Sequence, residues 1–281
     1  MTIDPAPHSR CTLDVAIATH TPEGIQRVAS MDLPVIDGVS YIVSWQDHRD
    51  APIPQQLTER DDVTILRFDG KGLSRNRNNA LSHCNSDVIL ISDDDTRLYT
   101  DGIYRLIDTF TADPDLDLAT LRADYAGTHK YYPSGNCRLR LPLPKNYFVS
   151  SIEIAFRRNS TGNPEFHPDF GIGSDHMHGG EDELLLLSAI RRGLNCQYIP
   201  LTICSHPQES TGTKPILSGK NIRAMGCIIA LTYPVSCILR LPLKAWRIHR
   251  RGQSSLPKAL LYLASGALRA PFLFPDKKYL W

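Results

Sequence analysis

What this 281-residue sequence lacks narrows its class before any motif is read. Its cysteines, Cys11, Cys84, Cys137, Cys196, Cys204, Cys227 and Cys237, are odd in number and contain no CxxC pair. That pattern indicates neither a disulfide framework nor a zinc ribbon. A reducing, cytoplasmic setting is the expectation. The opening stretch MTIDPAPHSRCTL has no apolar signal region. The uncharged run Ala224–Leu239 has 16 residues and contains Pro234, short of the roughly 20 that a membrane span requires. No internal repeat is present. Acids are missing from one end: from Lys214 onward there are 12 Lys+Arg and a single acid, Asp276. The first 213 residues carry 19 Lys+Arg against 29 acids, so the net charge of +1 hides a split of −10 and +11. An acidic body with a basic tail that meets something anionic is the reading.

What is there is a folded globular composition, 42% hydrophobic and 22% charged. Apolar runs at Leu13–Ala18, Tyr41–Trp45, Val63–Phe68 and Val88–Ile91 read as strands. Helical stretches between them, at about Gly24–Ala29 and from Ser74 as N-cap through Ala80-Leu81, give the alternation of βαβ units. Asp101–Phe110 has helical spacing, Leu116–Leu121 and Tyr147–Phe156 are further strands, and Arg122–Asn146 is a loop. A second loop, Glu165–Gly180, leads into a helix over Glu181–Arg192, which Gly193 stops. Tyr198–Cys204 closes the sheet, with His206 just beyond it. The fold class is α/β, with one mostly parallel sheet.

The stretch VILISDDD organises the rest. A buried strand, Val88–Ile91, runs into Ser92 and three consecutive carboxylates, Asp93, Asp94 and Asp95. Open α/β sheets bind ligands at such carboxyl ends. Three adjacent anions repel one another, and hard oxygen donors suit Mg2+ or Mn2+ bridging to phosphate; a solvated acidic turn is the alternative. Thr19, Gln46-Asp47 and Gly180-Glu181-Asp182 lie at other strand ends or loop-to-helix junctions and converge with it. Each has a plainer reading too. Acids at a helix start favour the helix dipole, His206 suits a surface histidine, and GLSRNRNN over Gly72–Asn79 suits a turn and a basic helix face. Two arginines beside a Gly-rich turn also suit phosphate.

GLSRNRNNAL followed by SDVILISDDD, then FGIGSDHMHGGEDELLLL and SHPQESTG, resembles a family 2 glycosyltransferase of the GT-A fold over residues 13 to 213. That resemblance implies a single Rossmann-like mixed sheet flanked by helices and an inverting, metal-dependent transfer. It implies that the DxD-type motif binds donor ribose and a divalent metal, Mn2+ or Mg2+, with Asp93 for the ribose and Asp95 for the metal. Asp93 and His206 are further candidates for the metal's coordination shell. Thr19, Gln46, Asp47, Gly72, Arg77, Asn78, Asp94 and Gly180 are the other expected donor-binding residues. Asp182 is the expected general base, with Glu181 beside it as structural or acceptor-binding. Thr19-His20-Thr21 replaces the family's frequent Thr-Tyr-Asn, and Trp45-Gln46-Asp47 its Asp-Gly-Ser; both fall where the nucleotide base would sit.

The expected activity is transfer of a sugar from a nucleotide-diphosphate donor, a UDP-sugar favoured, to a glycan or lipid-linked acceptor in polysaccharide or glycolipid synthesis. A nucleotidyltransferase making nucleotide sugars is the alternative, but it would want a basic Gly-rich loop after the first strand, where THTPEG offers neither Lys nor Arg. A non-catalytic nucleotide- or sugar-binding protein is a third reading, for which the triple aspartate together with Glu181-Asp182 is unnecessary. Residues 1–213 are the expected catalytic domain. Residues 214–281 are an expected helical, basic and apolar appendage that contacts the membrane peripherally. Nucleic acid is not an expected partner, because the apolar runs are too long for a surface that needs only charge.

Overall fold

The computed structural model describes residues 10–126, 130–159, 163–207 and 217–272. Four parallel strands carry the site: β1 (Leu13–His20), β2 (Val39–Gln46), β3 (Val63–Phe68) and β4 (Val88–Asp93). Helix α1 (Thr21–Ala29) follows β1, the short α2 (Gln55–Thr58) precedes β3, and α3 (Leu73–Ser82) joins β3 to β4. Next come β5 (Arg97–Leu98), α4 (Thr100–Ala112), β6 (Leu118–Tyr125), β7 (Cys137–Arg138), β8 (Ile154–Arg157), α5 (Glu181–Arg191) and β9 (Cys196–His206).

The strands form one mixed sheet in the order β3-β2-β1-β4-β8-β6-β9-β5, with β7 also paired to β9. Among the described residues only β8 runs against both its neighbours, and the short edge strands β5 and β7 run against β9. From β1 the chain steps outward to β2 and β3, then returns to β4 on the other side. Such a reversal opens a crevice beyond the carboxyl ends of the two central strands. Successive residues of a strand face opposite sides, and β1 obeys this. Leu13, Val15 and Ile17 pack with α1 and α4, whereas Ala16 packs with α3 and α5.

Four local expectations change. The strand predicted over Tyr147–Phe156 is confined to β8, because Ser151–Glu153 forms a 3-10 turn. There the Glu153 carboxylate accepts from the Ser150 amide at 3.0 Å and from the Tyr132 hydroxyl at 2.5 Å, so side-chain bonds take the backbone away from the ladder. The loop predicted over Arg122–Asn146 contains the end of β6 and all of β7. Helix α3 begins at Leu73 rather than after Ser74; Gly72 holds the N-cap position, and the Ser74 hydroxyl donates to Phe170 O at 2.7 Å. His206 is the last residue of β9 rather than lying beyond it, and pairs with Tyr125 of β6.

Among the described residues three α-helices follow the sheet: α6 (Gly219–Thr232), α7 (Cys237–Arg250) and α8 (Leu256–Arg269). The apolar run Ala224–Leu239 is divided between two of them. It ends α6, turns at Pro234 and begins α7. Ala224, Cys227 and Leu231 of α6 pack on Leu184 and Leu187 of α5. Gly226 and Gly266 let α6 and α8 touch backbone to backbone, since a Cβ at either would overlap a carbonyl of the other helix. The expected C-terminal helical appendage is thus present, with α6 seated on the body. Among the described residues no helix is long and apolar enough to cross a membrane.

Candidate active site

Arg77 is the centre of the site. It lies in the first turns of α3 and is buried. Its Nη2 donates to Asp93 Oδ1 at 2.8 Å and to Ser151 Oγ at 2.7 Å. Its Nη1 reaches Asp182 Oδ1 at 3.2 Å and Glu181 Oε1 at 3.4 Å. One cation thereby gathers carboxylates from the end of β4 and the start of α5, at positions 93 and 181–182 of the chain. A guanidinium suits this, because its fixed fork of donors serves several oxygens and its charge is not lost on burial. The Phe166 ring packs against the guanidinium at 5.1 Å.

The neighbouring asparagines hold Arg77 in place. Asn76 donates to Thr19 O at 2.8 Å and accepts from Ser44 Oγ at 2.6 Å, tying α3 to the ends of β1 and β2. Asn78 donates to Phe166 O and accepts from Phe166 N, both at 2.8 Å. Both sides of its amide are thus engaged by backbone, so Asn78 secures the loop before α5. Two glycines enable the turns. Gly72, with φ +106°, opens α3, and Leu73 N then donates to Ile172 O at 2.9 Å. Gly180, with φ +84°, starts α5 where a Cβ would stand 3.2 Å from Ile228. Both conformations are strained for a residue with a side chain.

The three aspartates have three different partners. Asp93 belongs to Arg77. Asp94 accepts from Thr19 Oγ1 at 2.5 Å and from Arg27 Nη2 at 2.8 Å. Burial raises the Asp94 carboxyl pKa, and the bonds from Arg27 and Thr19 only partly offset that. It braces β1 and α1 across the crevice. Asp95 pairs with His206, Oδ1 to Nε2 at 3.3 Å. Burial pushes Asp95 upward, but the bond and charge of His206 win and hold it below the usual carboxylate range. The same bond raises His206. The set Asp93, Asp95 and His206 expected around one ion is therefore divided. Among the described residues no three His, Cys, Asp or Glu side chains gather as a metal cage.

Gln46 is buried at the end of β2, while Asp47, with φ +50°, sits outside it and is paired by Arg49 at 2.8 Å. At the other end of the site, burial pushes Asp182 up to about 7, with the Glu181 charge adding and Arg77 opposing. Glu181 is raised for the same leading reason. Glu183 is also pushed up to about 7 by burial and by Asp182, with Lys130 and Lys244 opposing. Arg77 Nε and Glu181 Oε2 are buried without a hydrogen-bond partner among the described residues, an exception of the kind that marks functional sites.

Arg27, Ser151 and Lys130 escaped the sequence reading. None sits in a motif, and each joins the site only through packing of distant elements. The PQESTG part of the quoted SHPQESTG motif lies mostly outside the described residues, which stop at Pro207 and resume at Leu217.

An acidic turn and an Arg-Asn helix start meeting at a sheet's reversal point are matched by sequence as well. The Glycosyl transferase family 2 profile covers residues 44–184, half of the chain, and includes Arg77, the aspartates and Glu181-Asp182. The chain belongs to that family. This glycosyltransferase also shares its fold with solved structures of TarS from S. aureus. Residues 1–349 of TarS in complex with UDP align with a TM-score of 0.56 at 12% identity, covering 96% of this chain and 88% of that one. The complex of the same TarS fragment with UDP-GlcNAc aligns at 0.54 and 14% identity, covering 79% and 67%. At such identities the likeness concerns the GT-A-type fold alone. No curated protein sequence matches the glycosyltransferase.

Proposed function

We propose that the glycosyltransferase moves a sugar from a UDP-sugar to an acceptor hydroxyl with inversion at the anomeric carbon. The observation that carries this reading is the Arg77 bridge, which joins the first aspartate of the acidic motif to Asp182 across one crevice. In this reading the donor takes the Asp93 side of that crevice and the base is on the Asp182 side. The fold shared with TarS, whose structures include UDP and UDP-GlcNAc complexes, supports the choice of UDP.

In this reading Thr19, Gln46 and Asp47 border the base and ribose, with Asp93 toward the ribose. Asp182 accepts the proton of the acceptor hydroxyl, its oxygen bonds to the anomeric carbon, and the carbon–phosphate oxygen bond breaks with its electron pair leaving on UDP. A carboxyl pushed up to about 7 suits a base working near neutral pH. Glu181 holds Arg77 and sustains that shift. Asp95 and His206 fit a divalent ion as a two-donor set, since Mn2+ or Mg2+ commonly takes one or two protein ligands and completes its shell with diphosphate oxygens. Such an ion supplies charge neutralisation for the departing diphosphate. The acceptor is a hydroxyl of a glycan, free or lipid-linked.

The test is release of UDP from a panel of UDP-sugars, with Mn2+ or Mg2+ present, by wild type and Asp182→Asn. Turnover of at least one donor is expected, together with its loss in the variant. No release from any UDP-sugar, or full activity in the variant, would overturn the proposal.

A further inference from the structure

Helix α7 carries three different stripes. Leu241, Ala245 and Ile248 pack against α6 and α8. On the opposite side Leu239, Leu243 and Trp246, spaced i, i+4, i+7, are 71%, 57% and 50% exposed. Val235 and Ile238, just before them, are more exposed still. Between the two lies a third stripe of Arg240, Lys244, Arg247 and Arg251, spaced i, i+4, i+7, i+11. Packing of α7 on its neighbours does not account for an apolar row facing outward. Rows of this kind are uncommon on a monomer without a partner.

The charges say which partner fits. Residues 217–272 contain nine Lys and Arg and no Asp or Glu. A symmetric contact between two copies through α7 would oppose cation to cation. An anionic lipid surface complements both stripes at once: acyl chains take the leucines, and headgroups take the cations. The aromatic residues support this. Arg250 lies over the Trp246 ring at 5.1 Å and Arg240 over the Tyr233 ring at 3.7 Å, which sets guanidinium groups level with rings that favour the headgroup zone. The Lys244 charge also opposes that of Glu183 in the first turn of α5.

We infer that α7 is an interfacial helix that lays the protein on an anionic membrane, with Leu239, Leu243 and Trp246 as its insertion face. The inference concerns binding and stands whether or not the donor is a UDP-sugar. Each Lys or Arg at such a surface multiplies affinity about fivefold.

The test is co-sedimentation of the full chain with vesicles of pure phosphatidylcholine, or of phosphatidylcholine with phosphatidylserine, at low and high salt. Binding to the anionic vesicles alone, weakened at least tenfold by high salt, is expected. Leu239→Ser/Leu243→Ser/Trp246→Ser and, separately, Arg247→Gln/Arg251→Gln are each expected to weaken it more than tenfold. The second variant keeps the test valid if the first does not fold. Failure of the wild-type chain to sediment at low salt overturns the inference. So does undiminished binding by a folded apolar-stripe variant. Self-association in place of vesicle binding, abolished by that variant, overturns it too and makes the stripe a contact between copies.

Discussion

Arg77 Nη1 stands 3.2 Å from Asp182 Oδ1, while the other end of the same guanidinium is 2.8 Å from Asp93. The two carboxylates of the proposed reaction, one on the donor side and one on the acceptor side, therefore share one buried counter-ion. Anything that moves Arg77 acts on both ends of the site.

Replacing Arg77 by Gln leaves Asp93, Glu181 and Asp182 without that cation. Removing one partner from a buried charge cluster costs about 3–5 kcal/mol. Urea denaturation should show a loss of this size together with loss of transfer. Unchanged stability would mean the carboxylates have another source of compensation.

Asp182→Asn should keep the fold and abolish transfer by about 10² to 10⁴, the usual worth of a general base. Its pH behaviour follows from the raised carboxyl. The native group holds its proton more tightly than the unfolded one, so its favourable contribution to stability is complete below the ordinary aspartate value of 3.8 and is lost as pH rises through about 7. The asparagine variant lacks this loss. Its melting temperature relative to wild type should therefore climb between pH 4 and pH 8; a constant difference would show that Asp182 is not held protonated.

Asp95→Ala removes the hard oxygen from the Asp95–His206 pair. Titration calorimetry in the presence of UDP should show Mn2+ binding weakened by about tenfold or more, with transfer falling by about 10². His206→Ala should have a smaller effect, imidazole being the softer donor. Equal Mn2+ affinity in both variants and wild type would exclude the pair as a metal site.

Gly226→Ala tests the seat of the C-terminal helices. Helix propensity alone would favour alanine by up to about 1 kcal/mol, yet a Cβ here runs into the backbone of α8 at Leu263. Overpacking should win, at a cost of about 1–3 kcal/mol. A more stable variant would mean that α6 and α8 separate without penalty.

The alternation of strands and helices up to β4, and the placing of polar clusters at strand ends, were legible because they depend on local periodicity and turn chemistry. So was the charge split that marks the tail. The Tyr147–Phe156 stretch was misread for the opposite reason. Its alternation is sound for a strand, but Glu153 is claimed by Tyr125, Tyr132 and Lys130, whose approach no local pattern announces.

The triple aspartate marks the limit most clearly. By itself the sequence determined that three carboxylates stand at the end of a buried central strand. Only the tertiary structure decided their separate tasks, because successive residues in a turn point in different directions and their partners come from positions 77, 19 with 27, and 206. Helix α7 repeats the point. Spacing alone put apolar and basic residues on separate stripes, but which stripe stayed exposed was settled when α6 and α8 covered Ala245 and Ile248. A face becomes a surface only after its neighbours have packed.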